Sequence, residues 1–170
     1  VALTAQSIAD MFAIQQSGAI SSGTIATVGL ESVDVVDDLT VTYTLGAPNS
    51  AFPSNLNSVS LGYVFEPGAA AADPDGFGMN PVGTGPFVLK SRDIDNETVV
   101  VRNENYWRTA ANGDQLPYLD QVSFRPIPDE GTRLDALVSG TTNAAQSLRQ
   151  GTIRDARQES GIELIEFQGN

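Results

Sequence analysis

The sequence predicts an α+β fold, in which short helices alternate with β-hairpins around a mixed sheet. Three observations carry this prediction: a helical spacing of apolar residues near the start, a strict two-residue alternation over Leu39–Leu45, and a second helical spacing after residue 130. The order of elements after the first helix is hairpin, helix, hairpin, strand, helix, strand. This order favours an α+β arrangement over a doubly wound parallel sheet.

The first helix is predicted over residues 4–16. Thr4 supplies an N-cap oxygen, and Ile8, Met11 and Phe12 follow at the i, i+3, i+4 spacing of one apolar face. The helix should end at Gly18 and the small polar residues that follow it. We interpret the apolar face as a packing surface.

A hairpin with one buried face is predicted next. Val33 and Val35 flank Asp34 in its first strand, and the turn lies at Asp37-Asp38. In the second strand, four apolar residues starting at Leu39 alternate with threonines. A short helix over residues 50–56 should follow, with its proline confined to the first turn or to a kink.

The second half of the chain predicts more strands than helices. Residues 66–86 are rich in Gly, Pro and Ala and indicate a loop, or a short helix followed by a loop. The predicted elements beyond them are strands over Phe87–Arg92, Thr98–Arg102 and Asp120–Ile127, a helix over residues 131–139 begun by Pro128-Asp129-Glu130 and closed by Gly140, a weaker helix over Asn143–Gln158, and a strand over Ile162–Phe167.

The composition excludes several classes of function. The 170 residues carry 9 basic and 21 acidic side chains, for a net charge of -12. Binding to nucleic acid or to anionic lipid requires a basic surface, so we expect neither partner. The chain has no Cys and no His, so we expect no thiol, imidazole or Ser-His-Asp catalysis. We also expect no metal site and no cofactor.

Two short motifs partly match known ion-binding or phosphate-binding loops, but each lacks residues that binding requires. Asp73-Pro74-Asp75-Gly76 begins like a calcium loop but lacks the distal Glu, because position 84 is Thr, so we interpret it as a turn. Gly83-Thr84-Gly85 begins like a phosphate loop, yet Pro86 has no amide proton to donate and no Lys-Ser/Thr pair follows. The carboxylates of Asp37, Asp129 and their neighbours lie in predicted turns or helix starts, where they form local hydrogen bonds.

Four segments together form a longer signature. They read NPVGTGPFVL, VRNENYW, PYLDQVSFRPIPD and TRLDALVSG, at residues 80–89, 101–107, 117–129 and 132–140. This combination resembles the family 5 extracellular solute-binding proteins of ABC importers, the peptide, oligopeptide and nickel-binding group. The resemblance extends over nearly all of the chain. The sequence departs from the family pattern at Thr141–Ala144, where the family usually carries acidic residues, and by an insertion at Asn112–Asp114.

The resemblance implies a place in a larger architecture. Members have two lobes of the type II periplasmic-binding-protein fold, which close around a solute in the cleft between them. Residues 1–170 would be a single fragment of lobe I, mainly its smaller subdomain, without the N-terminal strand region or the second lobe. The start at Val1 without a signal segment, and the end at Asn170 after a predicted strand, agree with a piece cut from a longer protein.

The implied function is to capture a peptide or similar small solute outside the membrane and deliver it to ABC permease subunits. The implied location is extracytoplasmic, with a lipid anchor on the full-length protein. The fragment alone is expected to be a scaffold, and a dimer through surface exposed by truncation is a further expectation. Within the family, some members are sensors or chaperone-like proteins, and the sequence does not separate these roles.

One residue is selected as a ligand-binding candidate. The segment Ser60–Phe65 precedes the Gly/Pro-rich loop in a region that comes near the ligand in some relatives, and it contains Tyr63. The competing interpretation is a core or interlobe aromatic. Nickel is not supported as the ligand, because no His is present.

Two alternatives from other classes remain at this point. The threonine-rich hairpin and the acidity are also compatible with a β-rich adhesive module, although the helices over residues 4–16 and 131–139 count against a sandwich. A carboxylate-dependent hydrolase is the second alternative, and it would need a carboxyl group with a raised pKa.

Overall fold

The computed structural model describes residues 2–18, 21–57, 61–147 and 149–166. The chain divides into two compact units, Val1–Asp93 with Thr98–Ser123, and Ile94–Glu97 with Phe124–Asn170. Among the described residues the elements are α1 (Ala5–Ser17), α2 (Ser21–Val28), β1 (Leu30–Asp37), β2 (Thr40–Leu45), α3 (Phe52–Asn55), α4 (Pro67–Ala72), β3 (Phe87–Asp93), β4 (Glu97–Arg102), β5 (Gln121–Phe124), α5 (Glu130–Val138) and α6 (Gln150–Ala156).

Helix α1 begins where its sequence predicts. The Thr4 side chain accepts a hydrogen bond from the amide of Ser7 at 3.2 Å, and the Ser7 hydroxyl accepts one from the Thr4 amide. These two hydrogen bonds form a capping box, which gives a partner to two of the four free amides at the helix start. Met11 and Phe12, from the predicted apolar face, are buried.

The predicted hairpin is confirmed. Strands β1 and β2 pair antiparallel, with Val33 opposite Tyr43 and Val35 opposite Val41. In β2 the apolar residues are half-buried and the threonines are exposed, as the two-residue alternation requires. Leu39 is the exception: it lies in the turn and is 88% exposed.

The core of the first unit packs helices against this hairpin. Its buried residues are Phe12, Ile25, Val28, Leu30 and Phe52. The ring of Phe52, from α3, lies 5.3 Å from the ring of half-buried Tyr43, at an interplanar angle of 57°. Helix α3 contains Pro53 in its first turn, as predicted, because the missing amide proton costs nothing there.

Helix α2 was not predicted. Its sequence, SSGTIATV, contains Gly and four β-branched residues, which favour a helix poorly. Ile25 and Val28, three residues apart, are nevertheless both buried in the core. Tertiary packing of this face outweighs the weak local propensity. Ala19 and Ile20, between α1 and α2, lie outside the described residues.

The three strands predicted after residue 86 form one sheet, in the order β3-β4-β5. Strands β3 and β4 are joined by a tight turn in which Asp95 adopts a positive φ of 63°. Strand β5 is shorter than expected: residues 125–127, expected to continue it, have no regular structure. The segment expected to be a loop or a short helix contains α4, whose start is capped by the Glu66 carboxylate through the amides of Gly68 and Ala69.

In the second unit, α5 begins as predicted and later elements differ. Asp129 caps α5, and Gly140 follows it with a φ of 74°. The helix expected over residues 143–158 is limited to α6, because residues 143–147 form a loop against α5. The Arg133 guanidinium donates to the backbone oxygen of Gln146 at 2.7 Å, and the Ser147 hydroxyl donates to Glu130. Leu148 lies outside the described residues.

The last predicted strand, Ile162–Phe167, is wrong over its described residues. Residues 162–166 have no strand structure, and Ile165 is 69% exposed. A strand needs the backbone groups of a neighbouring strand, and the described residues supply none here. Phe167, the end of this prediction, and both chain termini lie outside the described residues.

Candidate functional site

The segment Leu61–Glu66 is held at both ends. Leu61 packs against the core of the first unit. The amide of Phe65 donates to the sulfur of buried Met11 at 3.3 Å, and its ring lies 5.7 Å from the ring of Phe77. Tyr63 lies between these two anchors and is 67% exposed. The segment therefore presents an exposed tyrosine on a backbone that is fixed on either side.

A small cleft lies beside this segment, with a volume of about 120 Å³. The start of α1, the segment and the loop before β3 all contribute to its walls. Its lining is mostly apolar and includes two hydroxyl groups and one carboxylate; it consists of Ala2, Leu3, Ser7, Phe65, Glu66, Pro67, Val82, Gly83 and Thr84. Glu66 is the charged residue among the described residues of the lining, and its carboxylate caps α4.

The backbone of the segment pairs with the loop before β3. Phe65 and Gly83 form an antiparallel bridge, and the Glu66 amide donates to the Val82 oxygen at 2.9 Å. A β-carbon at Gly83 would lie 3.0 Å from the backbone oxygen of Val64. Glycine at position 83 therefore permits this close backbone approach, which a side chain would widen by a few tenths of an ångström.

The same loop is tied on its other side to the end of β4. The side-chain amide of Asn103 donates to the Gly85 oxygen at 2.9 Å, and the Asn103 backbone amide donates to the Pro86 oxygen at 2.9 Å. Asn103 also accepts from the amide of Asn105 at 3.0 Å. These bonds join the first two segments of the signature, residues 80–89 and 101–107.

The third segment of the signature is joined through Arg102. Its guanidinium donates to the backbone oxygen of Tyr118 at 3.0 Å and pairs with the Asp120 carboxylate at 2.6 Å. Because Asp120 is 93% exposed, water screens this ion pair and weakens it. The bond to Tyr118 still fixes the path of the chain between β4 and β5.

An aromatic surface lies on the connection between β4 and β5. Trp107 is 76% exposed and Tyr118 61% exposed. The connection is ordered by backbone bonds, such as that from the Leu116 amide to the Arg108 oxygen at 3.2 Å. The geometry shows a fixed loop that carries large apolar side chains outward.

Two turn carboxylates among the described residues have a lowered pKa, the opposite of what an acid in hydrolysis needs. The pKa of Asp37 is held below its usual value, mainly by the hydrogen bond from the Leu39 amide and further by hydrogen bonds from Thr40. Hydrogen bonds from Thr132 do the same for the pKa of Asp129. A general acid needs a raised pKa, so neither residue suits that role. Among the described residues, no group of three or more acidic side chains could hold a metal ion.

The predicted turn roles of these acids are confirmed. Asp37 accepts from the Leu39 amide at 2.9 Å, and Asp129 accepts from the Thr132 amide at 2.8 Å. Asp73 accepts from the Gly76 amide at 2.9 Å, which makes the calcium-like motif a turn, as expected. Burial raises the pKa of Tyr43, which belongs to the core rather than to a site.

Comparison with known families decides the identity of the chain. The profile described as "Bacterial extracellular solute-binding proteins, family 5 Middle" matches residues 3–170. The chain belongs to this family. The resemblance drawn from the four signature segments is thereby confirmed. The β-rich adhesive module and the hydrolase receive no support.

Curated relatives within family 5 are binding proteins. The glutathione-binding protein GsiB of Pectobacterium atrosepticum is 33% identical over 116 residues, which are 68% of this chain and 21% of that protein. GsiB of Salmonella paratyphi A is 32% identical over 80% of this chain and 25% of the relative. Heme-binding protein A of Haemophilus influenzae is 29% identical over 82% of this chain and 25% of the relative. The chain thus spans about a quarter or less of the relatives it matches.

Solved structures share the fold. The periplasmic binding protein DppA of Helicobacter pylori, in complex with the peptide STSA, matches with a TM-score of 0.71 and 28% identity, over 83% of this chain and 30% of that one. MoaA of A. tumefaciens R10, in complex with mannopinic acid, matches with a TM-score of 0.70 and 26% identity, over 82% of this chain and 27% of that one. The predicted membership of a type II periplasmic-binding-protein fold is confirmed. No helix among the described residues is long and apolar enough to cross a membrane.

Sequence reasoning selected Tyr63, which is not among the described residues that line the cleft, and it did not predict the cleft itself. Phe65 lies in the selected segment, but its place in the cleft wall beside Val82 was not predicted. Gly83 belonged to the signature, and the sequence indicated no distant contact for it. Its contact with residues 64–65 joins segments far apart in the sequence, so no local pattern indicated it.

Proposed function

We propose that this chain is part of the solute-binding component of an ABC importer, which captures a small solute outside the membrane and delivers it to the permease subunits. The observation that supports this most directly is the family match over residues 3–170. The proposed location is extracytoplasmic, with the whole protein held at the membrane by a lipid anchor. Binding and delivery, with no chemical conversion of the solute, are the proposed role.

A short peptide is the proposed class of solute. GsiB, 33% identical over 68% of this chain, is a glutathione-binding protein, and DppA was solved with the peptide STSA. Glutathione is itself a tripeptide derivative. The small cleft with apolar walls would suit a side chain of such a ligand, since apolar lining with few polar groups is typical of solute pockets.

Tyr63 is the proposed contact residue. It is 67% exposed between the anchored residues Leu61 and Phe65, and Phe65 lines the cleft. A tyrosine fixed in this way offers a large flat surface and a hydroxyl at small entropic cost. This combination supports a contact with solute rather than the alternative role in the core.

We further infer that the chain is a fragment of lobe I, chiefly its smaller subdomain, and that it binds solute weakly or not at all by itself. In a two-lobed binding protein, both lobes contact the solute and closure buries it. Removing one lobe removes that burial. The exposed Trp107 and Tyr118 would favour self-association of the isolated chain.

The test is thermal unfolding of the isolated chain and of the whole protein that contains it, each with and without glutathione and a pool of short peptides. Binding to the folded state raises the unfolding temperature. We expect a rise only for the whole protein. No rise for either, with calorimetry showing no binding, would contradict the proposed solute class.

A rise for the isolated chain would contradict the inference that it is a scaffold. In that case the ligand contacts lie within this sequence, and analytical ultracentrifugation at the same concentrations would show whether a dimer forms the binding species. Incubation of each peptide with the whole protein, followed by mass spectrometry, serves as the control for hydrolysis. A cleaved peptide would contradict the non-enzymatic role.

A further inference from the structure

We propose that Gly83 is a positioning residue for the ligand-contacting segment, so that the signature before β3 fixes where Tyr63 is presented. This inference rests on the proposed function, because it assigns a role to Gly83 through Tyr63. Gly83 also lines the cleft, and the role proposed for it here is exerted through its backbone rather than through contact with the ligand. It acts by allowing two backbone segments to approach each other.

The first step is the close approach at position 83. Phe65 and Gly83 form the bridge between the two segments, and a β-carbon at Gly83 would lie only 3.0 Å from the backbone oxygen of Val64. That oxygen belongs to the main chain, so it cannot rotate away as a flexible side chain would. A larger residue at position 83 requires the two backbones to separate by a few tenths of an ångström, directly after Tyr63.

The second step is the rigidity of the loop that carries Gly83. The loop is held from the opposite side, where Asn103 bonds to the oxygens of Gly85 and Pro86. Because Asn103 directly follows β4, these bonds restrain the loop against a movement that would relieve the contact at position 83. The displacement must therefore pass to the segment of Tyr63.

The third step is the anchoring of that segment on its far side. The Phe65 amide donates to the sulfur of Met11, which is 5% exposed, and Leu61 packs on the core. Tyr63 thus lies on a short stretch whose ends are fixed by α1, the core and Gly83. Small displacements of these anchors translate directly into displacement of the tyrosine.

The chain offers a matched control for Gly83. Gly85 lies two residues away in the same loop, has no heavy atom within 4 Å of its potential β-carbon, and has no positive φ. Alanine at position 85 adds the same methyl group to the same loop, but this methyl group does not contact Val64. A comparison of Gly83→Ala with Gly85→Ala therefore isolates the approach of the two backbones.

The experiment measures two quantities in the whole protein for both variants. The first is amide hydrogen exchange at Glu66, whose amide donates to Val82 at 2.9 Å. We expect Gly83→Ala to accelerate this exchange by about tenfold relative to Gly85→Ala, as loss of one backbone hydrogen bond would. The second is the Kd for glutathione or for the best peptide of the pool. We expect about a tenfold weaker Kd for Gly83→Ala and less than a twofold change for Gly85→Ala.

The results separate the two levels of the proposal. Equal exchange at Glu66 in the two variants would overturn the positioning role. The positioning role would also be overturned if Gly83→Ala accelerated exchange at Glu66 without changing the Kd, while Tyr63→Ala weakened the Kd. Faster exchange together with a Kd that neither Gly83→Ala nor Tyr63→Ala alters would support the positioning of the segment and overturn Tyr63 as the ligand contact.

A second variant covers the case in which Gly83→Ala does not fold. Met11→Leu conserves the volume of the buried side chain and removes the sulfur acceptor of the Phe65 amide. If the segment is positioned by its anchors, this variant accelerates exchange at Phe65 and weakens the Kd in the same direction. An accelerated Phe65 amide with an unaltered Kd would overturn the role of the anchors, provided that Tyr63→Ala weakens binding.

Discussion

The side-chain amide of Asn103 donates a hydrogen bond to the backbone oxygen of Gly85 at 2.9 Å. Its neighbour in the chain, Arg102, bonds to the oxygen of Tyr118 at 3.0 Å. Two adjacent residues at the end of β4 thereby join the loop before β3 to the segment before β5. Three of the four signature segments, at residues 80–89, 101–107 and 117–129, are thus parts of one hydrogen-bonded structure.

Replacement of Asn103 is expected to destabilise the chain. Asn103→Ala removes the donor to Gly85 and the acceptor of the Asn105 amide, so the free energy of unfolding should fall by about 1–2 kcal/mol. Urea unfolding measures the change. Asn105→Ala, at an exposed neighbouring position, is the control and should change stability by less than about 0.5 kcal/mol. Equal losses of unfolding free energy in the two variants would contradict the stabilising role of the Asn103 hydrogen bonds.

Replacement of Tyr63 is expected to weaken solute binding without loss of stability. Tyr63 is 67% exposed, so Tyr63→Ala removes little buried surface. In the whole protein the Kd for the bound peptide should rise about tenfold, as for removal of one aromatic contact residue. Tyr118→Ala is the control, because Tyr118 is also an exposed tyrosine, at 61%, but lies on the connection between β4 and β5. An equal effect of both variants in a calorimetric titration would contradict the assignment.

The cap of α5 predicts a pH dependence. Hydrogen bonds from the Thr132 amide and hydroxyl hold the pKa of Asp129 below its ordinary value of about 3.9. Because the pKa of Asp129 is lower in the folded than in the unfolded state, the ionised cap stabilises the fold fully at a pH above the unfolded-state pKa. This stabilisation is lost as the pH falls through the folded-state pKa. The stability difference between the native chain and Asp129→Asn should therefore shrink as the pH falls below about 4.

The measurement is the unfolding midpoint of both proteins between neutral pH and the lowest pH at which they stay folded. Thr132→Val provides a separate check, because it removes the hydroxyl donor at 2.9 Å and keeps the backbone donor. The pKa of Asp129, followed by NMR of its carboxyl carbon, should rise in this variant. An unchanged pKa would exclude the hydroxyl as a cause of the shift.

Two glycines of the second unit should respond to alanine with opposite signs. Gly140 has a φ of 74°, a left-handed conformation that costs an alanine about 1–2 kcal/mol, so Gly140→Ala should destabilise the unit. Gly151 lies in α6 with no heavy atom near its potential β-carbon. Gly151→Ala should stabilise it by up to about 1 kcal/mol, because alanine is the better helix former. Hydrogen exchange of α5 and α6 amides measures both changes.

Much of the secondary structure could be predicted from local patterns. The cap of α1 at Thr4, the alternation in β2 and the cap of α5 at Asp129 each depend on residues within a few positions of one another. Side-chain period and capping chemistry are local properties, so the sequence alone expresses them. The four signature segments also identified the family without any structure.

Elements that depend on distant contacts escaped prediction. Helix α2 exists because Ile25 and Val28 pack in a core that also contains Phe12 and Phe52. Residues 143–147 are not helical, because their polar groups bond to Arg133 and Glu130 of another helix. In both cases the packing or bonding energy comes from residues that the local sequence does not contain.

The amino-acid sequence by itself determined the α+β class, the hairpin, the starts of α1 and α5 and the membership of family 5. Only the tertiary structure decided that Gly83 meets the backbone beside Val64 and that Tyr63 is presented between Leu61 and Phe65. The reason is physical: propensity and period act between neighbours along the chain, whereas the approach of two backbones depends on every anchor that holds them. The position of Tyr63 in the candidate site therefore depends on tertiary contacts that no local pattern in the sequence expresses.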